Sequence, residues 1–241
     1  MKKELVLKIA SWLVTITATI YMVYRIITYQ QYDQLMLLLA GLDWLKVSVF
    51  ATTICLIPVQ LLIEAIRWQQ LVRPLTFPTL AQAFGQVLYG YVGAFITPYR
   101  LGEFPARLLK AGIDHEAWQL QKSNWRAWLR DLNKWGKVVM LTLMRYMVWM
   151  IQLWGMLYVC AVPLTTLQAL CSIPLYYLIV SIAPSLPAAD VAIKGGWATL
   201  VFGQLTDNIP GIALAVIGIW LINTVLPTLV GLIQDVRVKM A

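Results

Sequence analysis

Phe95-Ile96-Thr97-Pro98-Tyr99-Arg100-Leu101-Gly102-Glu103-Phe104-Pro105-Ala106-Arg107 is the stretch around which the rest of the chain is read. It sets two arginines, a glutamate, two prolines and a glycine directly after the apolar run Val87 to Ile96. Wound as one helix, it would hold Arg100 and Arg107 about 20° apart and Glu103 about 60° from Arg100, at roughly 100° per residue. All three charges would then share a face. Pro98, Gly102 and Pro105 oppose an uninterrupted helix, so the alternative is a break with the charges on half-helix ends. Under either reading a polar site sits in, or at the edge of, an apolar protein.

The surroundings fix what kind of protein. Of 241 residues, 60% are hydrophobic and 12% charged, against about 25% charged in an ordinary soluble domain. Several windows reach the roughly 20 apolar residues that cross a 30 Å hydrocarbon layer. The expected fold class is all-α: a polytopic membrane helical bundle with interrupted or re-entrant helices and an internal repeat as an open possibility, residues 1–241 forming one integral membrane domain. A net charge of +8 would suggest nucleic acid in a soluble protein. Here the basic residues lie between apolar runs, where they set topology and touch anionic headgroups, and no nucleic-acid partner is expected. Cys55, Cys160 and Cys171 lie in apolar runs without paired spacing and read as packing residues.

Taken in order, the first expected span is Ile9 to Ile27. It is too long for a signal peptide's apolar region, and Lys2, Lys3 and Lys8 before it favour a cytoplasmic N-terminus. Residues 28–45, with Leu35 to Leu39, suit a short surface helix. A second span, Lys46 to Ile66, ends in Glu64-Ala65-Ile66-Arg67-Trp68, where Glu64 and Arg67 are spaced to pair. Pro74 to Pro98 is shorter and broken by Gly85, Gly90 and Gly93. Ten Lys or Arg against four acids between Arg67 and Lys137 favour a re-entrant path for it, and two half-helices would serve equally.

Residues 115–137 read as an amphipathic interfacial helix. Trp118, Trp125, Trp128, Leu132 and Trp135 make one stripe, and Lys122, Arg126, Arg130 and Lys134 recur every four residues on another. That pattern suits an anionic lipid surface; the alternative is an amphipathic helix packed on the domain. A third span, Val138 to Cys160, contains Arg145, which needs a partner such as Glu103 or Glu64, because an arginine at mid-span costs about 2.5–3.5 kcal/mol. A fourth span, Leu167 to Ala183, leads into a second cluster of prolines, glycines and charge from Pro184 to Gly196. This cluster offers Lys194 without an evident matching acid. Val191 to Leu205 is short, and the reading that it crosses keeps Arg237 and Lys239, beyond the final span Ile209 to Ile233, inside. Two interrupted segments in corresponding halves are the pattern of transporter-like repeats.

Two motifs resemble a known family. Glu64-Ala65-Ile66-Arg67-Trp68 is similar to the acidic-Ala-x-Arg/Lys-Trp ending of an early span in the lysylphosphatidylglycerol synthase transmembrane-domain family. Thr97-Pro98-Tyr99-Arg100-Leu101-Gly102-Glu103, with Arg107, is similar to that family's Pro-x-Arg-x-Gly-Glu signature and its following arginine. At the family's later basic-acidic pair, Lys194 stands for the basic member and Gly195 replaces the glutamate. The resemblance implies a flippase-like protein of a bacterial or archaeal plasma membrane that binds or moves a lipid with an anionic polar headgroup. The lipid would be an anionic phospholipid or a polyprenyl phosphate, and a homo-oligomer or an envelope-synthesis partner is left open. The alternative is a membrane-embedded enzyme or accessory subunit of polyprenyl-linked sugar or envelope synthesis.

The expected headgroup site is Arg100, Glu103, Arg107, Glu64, Arg67, Arg145 and Lys194. Arginines clamp phosphate bidentately and the glutamates hold them; a purely structural ion-pair network is the competing account. Thr97 before Pro98 suits a half-helix cap. His115, the one histidine, lacks spaced ligands, so no metal, cofactor or catalytic group is expected, and Tyr89, Tyr91 and Tyr99 read as belt or packing residues.

Overall fold

The computed structural model describes residues 43–130, 135–183 and 190–240. The expected first span, the expected surface helix of residues 28–45 up to residue 42, Leu132, Lys134 and residues 184–189 lie outside them. The described residues are helical, without a strand. We number the helices α1 (Trp44–Val72), α2 (Leu80–Ile96), α3 (Glu103–Lys110), α4 (His115–Arg130), α5 (Trp135–Val159), α6 (Thr166–Ile182), α7 (Asp190–Phe202), α8 (Ile209–Trp220) and α9 (Leu226–Met240). A single π-turn, Leu221–Val225, joins α8 to α9.

Among the described residues, three stretches are long and apolar enough to cross a membrane: α1, α5 and the run Ile209–Gln234 through α8 and α9. Their surfaces agree with that reading. On α5, Met140, Leu143, Met144, Met147 and Ile151 are exposed at helical spacing, a continuous apolar face that water would penalise and hydrocarbon does not. The expected fourth span, Leu167 to Ala183, is the helix α6 to within one residue at each end. α6 has 17 residues, as α2 does, and at 1.5 Å per residue neither quite covers a 30 Å layer.

The chain divides into two compact units. One takes the described residues up to Ile54 with Met150–Leu221; the other takes Cys55–Trp149 with the residues from Ile222 onward. In the first, Leu153, Leu157, Ile173, Phe202, Ile212 and Val216 form the core. Met156 lies against Gly218, where any side chain would collide with it. In the second, the core joins Leu61, Ala65 and Trp68 of α1 to Val87, Leu88 and Tyr91 of α2 and Leu108 of α3.

Within the second unit, α2 begins with a capping box. Thr79 Oγ1 accepts from Gln82 N–H at 3.3 Å, and Gln82 Oε1 accepts from Thr79 N–H at 2.8 Å, so two free N-terminal amides are satisfied. α9 lies on α2 through Gly231, where a methyl would meet the Leu88 carbonyl carbon at 2.9 Å. On α4, Trp118 and Trp125 are turned onto protein: both rings pack on Phe104, with centroids at 5.7 and 5.6 Å, and Trp125 Nε1 donates to the Leu71 carbonyl at 3.1 Å. These two rings bury aromatic area against α1 and α3, while Arg126 and Arg130 are at the exposed surface.

Candidate functional site

The opening stretch is broken, as its prolines and glycine require. α2 stops at Ile96, and Thr97 holds the break: its Oγ1 donates to the Gly93 carbonyl at 2.8 Å and accepts from Gly102 N–H at 2.7 Å. Tyr99 and Arg100 then both take left-handed backbone angles, φ 56° for each, at a cost of roughly 1–2 kcal/mol per residue. The chain reverses there and starts α3 at Glu103, with Pro105 in the first turn, where its missing N–H is not needed. α3 returns along α2 in close contact. At Gly90 a methyl would meet Arg107 Nε at 2.5 Å, and at Gly93 it would meet the Ala106 methyl at 2.6 Å. Glycine is what lets Arg107 lie across α2.

Six of the seven expected site residues meet at this hairpin. Glu64, from α1, is wholly buried and is the hub. Its Oε1 accepts from Arg67 Nη2 at 2.8 Å and Arg107 Nη1 at 2.7 Å, and its Oε2 faces Arg145 Nη1 of α5 at 2.9 Å. Arg107 also donates to Glu103 Oε1. Arg100 donates through Nε to Glu103 Oε2 at 3.0 Å. Arg145 thus has the acidic partner its place in a span demanded, and that partner is Glu64. Lys194 belongs to the other unit.

Three of the four arginines also have a ring against the guanidinium. Arg107 lies over Trp68 at 5.2 Å, Arg145 over Trp149 at 4.4 Å and Arg100 over Tyr91 at 5.6 Å. Such cation–π contacts gain when desolvated. Tyr91 also accepts from Arg145 Nη2 at 3.0 Å. Behind the rings, Trp68 Nε1 donates to Gln86 at 2.8 Å, and Trp149 Nε1 donates to Gln60 at 2.8 Å. The sequence reading missed these supports. Two left a signal, since Trp68 and Trp149 each follow a site residue, Glu64 and Arg145, by four positions, one helical turn.

Among the described residues the charge of this cluster does not balance. Arg67, Arg100, Arg107 and Arg145 face Glu64 and Glu103, a surplus of two positive charges. The Nε–H groups of Arg67, Arg107 and Arg145 are buried with no acceptor among the described residues. Arg107 and Arg145 show 5% and 10% of their side chains, whereas Arg100 shows 35%. The cluster is therefore a positive core in which Arg107 and Arg145 are buried, while Arg67 and Arg100 are partly exposed, at 22% and 35% of their side chains.

At Glu103, burial opposes ionisation, and the Arg100 and Arg107 guanidiniums outweigh it, holding the carboxyl below its ordinary range. A carboxyl lowered in the folded state adds stability above its ordinary pKa, and the contribution disappears as pH falls through the folded value. The midpoint of thermal unfolding in detergent should accordingly drop on acidification. Glu103→Gln should flatten that acid limb, and an unchanged limb in this variant would show that Glu103 is not its source.

In the first unit, Lys194 Nζ donates to Asp190 Oδ2 at 2.7 Å, and Trp220 Nε1 donates to the same oxygen at 2.9 Å. The second cluster thus has an acid. It stands four residues before the lysine, where the sequence reading had looked after it.

No family model, curated protein or solved structure matches the chain.

Proposed function

We propose that the protein is a flippase-like membrane protein that binds, and passes between leaflets, a lipid with an anionic headgroup. The observation that carries this reading is the surplus of two positive charges, among the described residues, in a largely buried cluster whose most accessible arginine is Arg100. A network built only for stability would be expected to balance its charges, because an unpaired buried charge costs several kcal/mol. Arg100 makes first contact with the phosphate, and Arg107 supplies attraction from below. Glu64 and Glu103 keep the hold moderate, since a site that binds too tightly cannot release its cargo. The likeness of the Glu64–Trp68 and Pro98–Arg107 motifs to the lysylphosphatidylglycerol synthase transmembrane family supports the same reading.

We also read α2–α3 as a re-entrant hairpin and the chain as an internal repeat. Thr79 and Thr165 both open 17-residue helices with a Thr/Gln capping box, and both stand 19 residues before a proline, Pro98 and Pro184. An acid and a base spaced by four then follow, Glu103 with Arg107 and Asp190 with Lys194. Repeats with broken helices are a common transporter plan.

The test uses liposomes of zwitterionic lipid carrying a fluorescent anionic phospholipid and an impermeant quencher. Wild-type protein should expose inner-leaflet probe that protein-free vesicles keep hidden. Arg100→Ala should weaken headgroup binding about tenfold or more, the size of losing a charged hydrogen bond of about 1.5–3 kcal/mol. Equal transfer by folded Arg100→Ala and wild type would remove the site from the mechanism.

A further inference from the structure

The first unit holds a second feature with ligand character, a groove of about 580 Å3 between α6 and α7. Leu167, Cys171, Leu175 and Ile179 line it from α6, one residue per turn, and its lining among the described residues includes no charged side chain. Two amides, Gln168 at the start of α6 and Gln204 just beyond α7, lie at one end of this lining. Trp197 also lines the groove, and its indole N–H is buried with no acceptor among the described residues.

The groove has a sequence cause. α2 carries glycines where it meets α3 and packs closely on it, whereas α6 carries bulky side chains and packs less closely on α7. Tyr176 fills that junction, its ring 5.5 Å from Phe202. The neighbouring outer face of α6 is apolar and exposed at Leu170, Leu178 and Ile182. A hydrocarbon chain can therefore enter sideways from the bilayer without passing a polar barrier.

We infer that this groove binds one fatty acyl chain of a membrane phospholipid, its ester end at Gln168 and Gln204 and its methylenes along Cys171, Leu175 and Ile179. Several observations select that occupant. The absence of charge suits a neutral chain. The volume lies in the range of a single drug-sized ligand, about 300–1,000 Å3, too small for a long polyprenyl tail. The amide donors at one end match an ester carbonyl, which polyprenyl chains lack. The inference concerns the first unit alone and stands whether or not the arginine cluster moves lipid.

The full chain is reconstituted in phosphatidylcholine vesicles containing phosphatidylcholine with a diazirine in mid-chain, irradiated, digested and mapped by mass spectrometry. Adducts should be enriched several-fold on residues 167–179 and 197–205 over the equally exposed Leu143 and Met147 of α5. Leu175→Trp, which fills the groove, should abolish the enrichment and leave the α5 adducts unchanged. Cys171→Trp, at an exposed position, gives the same readout if the first variant does not fold. Uniform labelling of all exposed apolar residues would overturn the inference. So would enrichment that survives both substitutions, or crosslinks joining two copies of the chain through α6.

Discussion

Glu64→Gln lowers the unfolding midpoint of the purified protein by about 6–12 °C, the shift expected when about 3 kcal/mol is lost from a chain of this size. The side chain keeps its shape and loses its charge, so packing is unaltered and the electrostatic role is isolated. Three guanidiniums meet this carboxylate, and two of them are buried to the same depth. Removing one member of a buried ion pair costs about 3–5 kcal/mol, because the remaining charge is stranded out of water. A second substitution sharpens the test. Glu64→Gln with Arg145→Gln restores the original surplus of two charges and should recover part of the midpoint, whereas independent effects would add. A midpoint within measurement error of wild type for the single variant would mean that water reaches the cluster and screens it, and the buried-core description would fail.

The sequence made the membrane class and the location of the polar centre legible because both follow from local chemistry. Charges in hydrocarbon are rare, so Glu64, Arg67, Arg100, Glu103, Arg107 and Arg145 stood out before any geometry was known. The choice of Glu64 as hub was not legible, since three arginines converge on it from α1, α3 and α5 and no spacing rule connects those helices. The aromatic platforms were partly visible as i, i+4 neighbours of the charges. Trp118 and Trp125 left two readings open for a general reason: an indole stripe opposite a basic stripe has the same period whether it faces lipid or Phe104. The acid paired with Lys194 was missed because the comparison pattern placed it after the lysine. The helix places it one turn before, at Asp190.

Gly93→Ala should cost about 1–3 kcal/mol, the usual range for overpacking, and should abolish anionic-headgroup binding although no charge is touched. The added methyl would press on the Gly102 carbonyl and on the Ala106 methyl. One neighbour is backbone and the other has no rotamer to change, so relief requires α3 to move away from α2. That movement carries Arg107 from Glu64, a contact 2.7 Å long that a shift of one ångström would break. Gly90→Ala reaches the same end directly, because its methyl would occupy the position of Arg107 Nε and Cγ. Gly136→Ala in α5 is the matched control: nothing lies within 4 Å of its added methyl, and alanine is the better helix former by about 0.8–1.0 kcal/mol. It should leave binding intact and hold or raise the midpoint. The pairing of one neutral and two damaging glycine-to-alanine changes separates close approach from helix propensity, since propensity alone predicts that all three stabilise. Retention of wild-type binding and stability by Gly93→Ala would show that the α2–α3 contact does not set the arginine geometry.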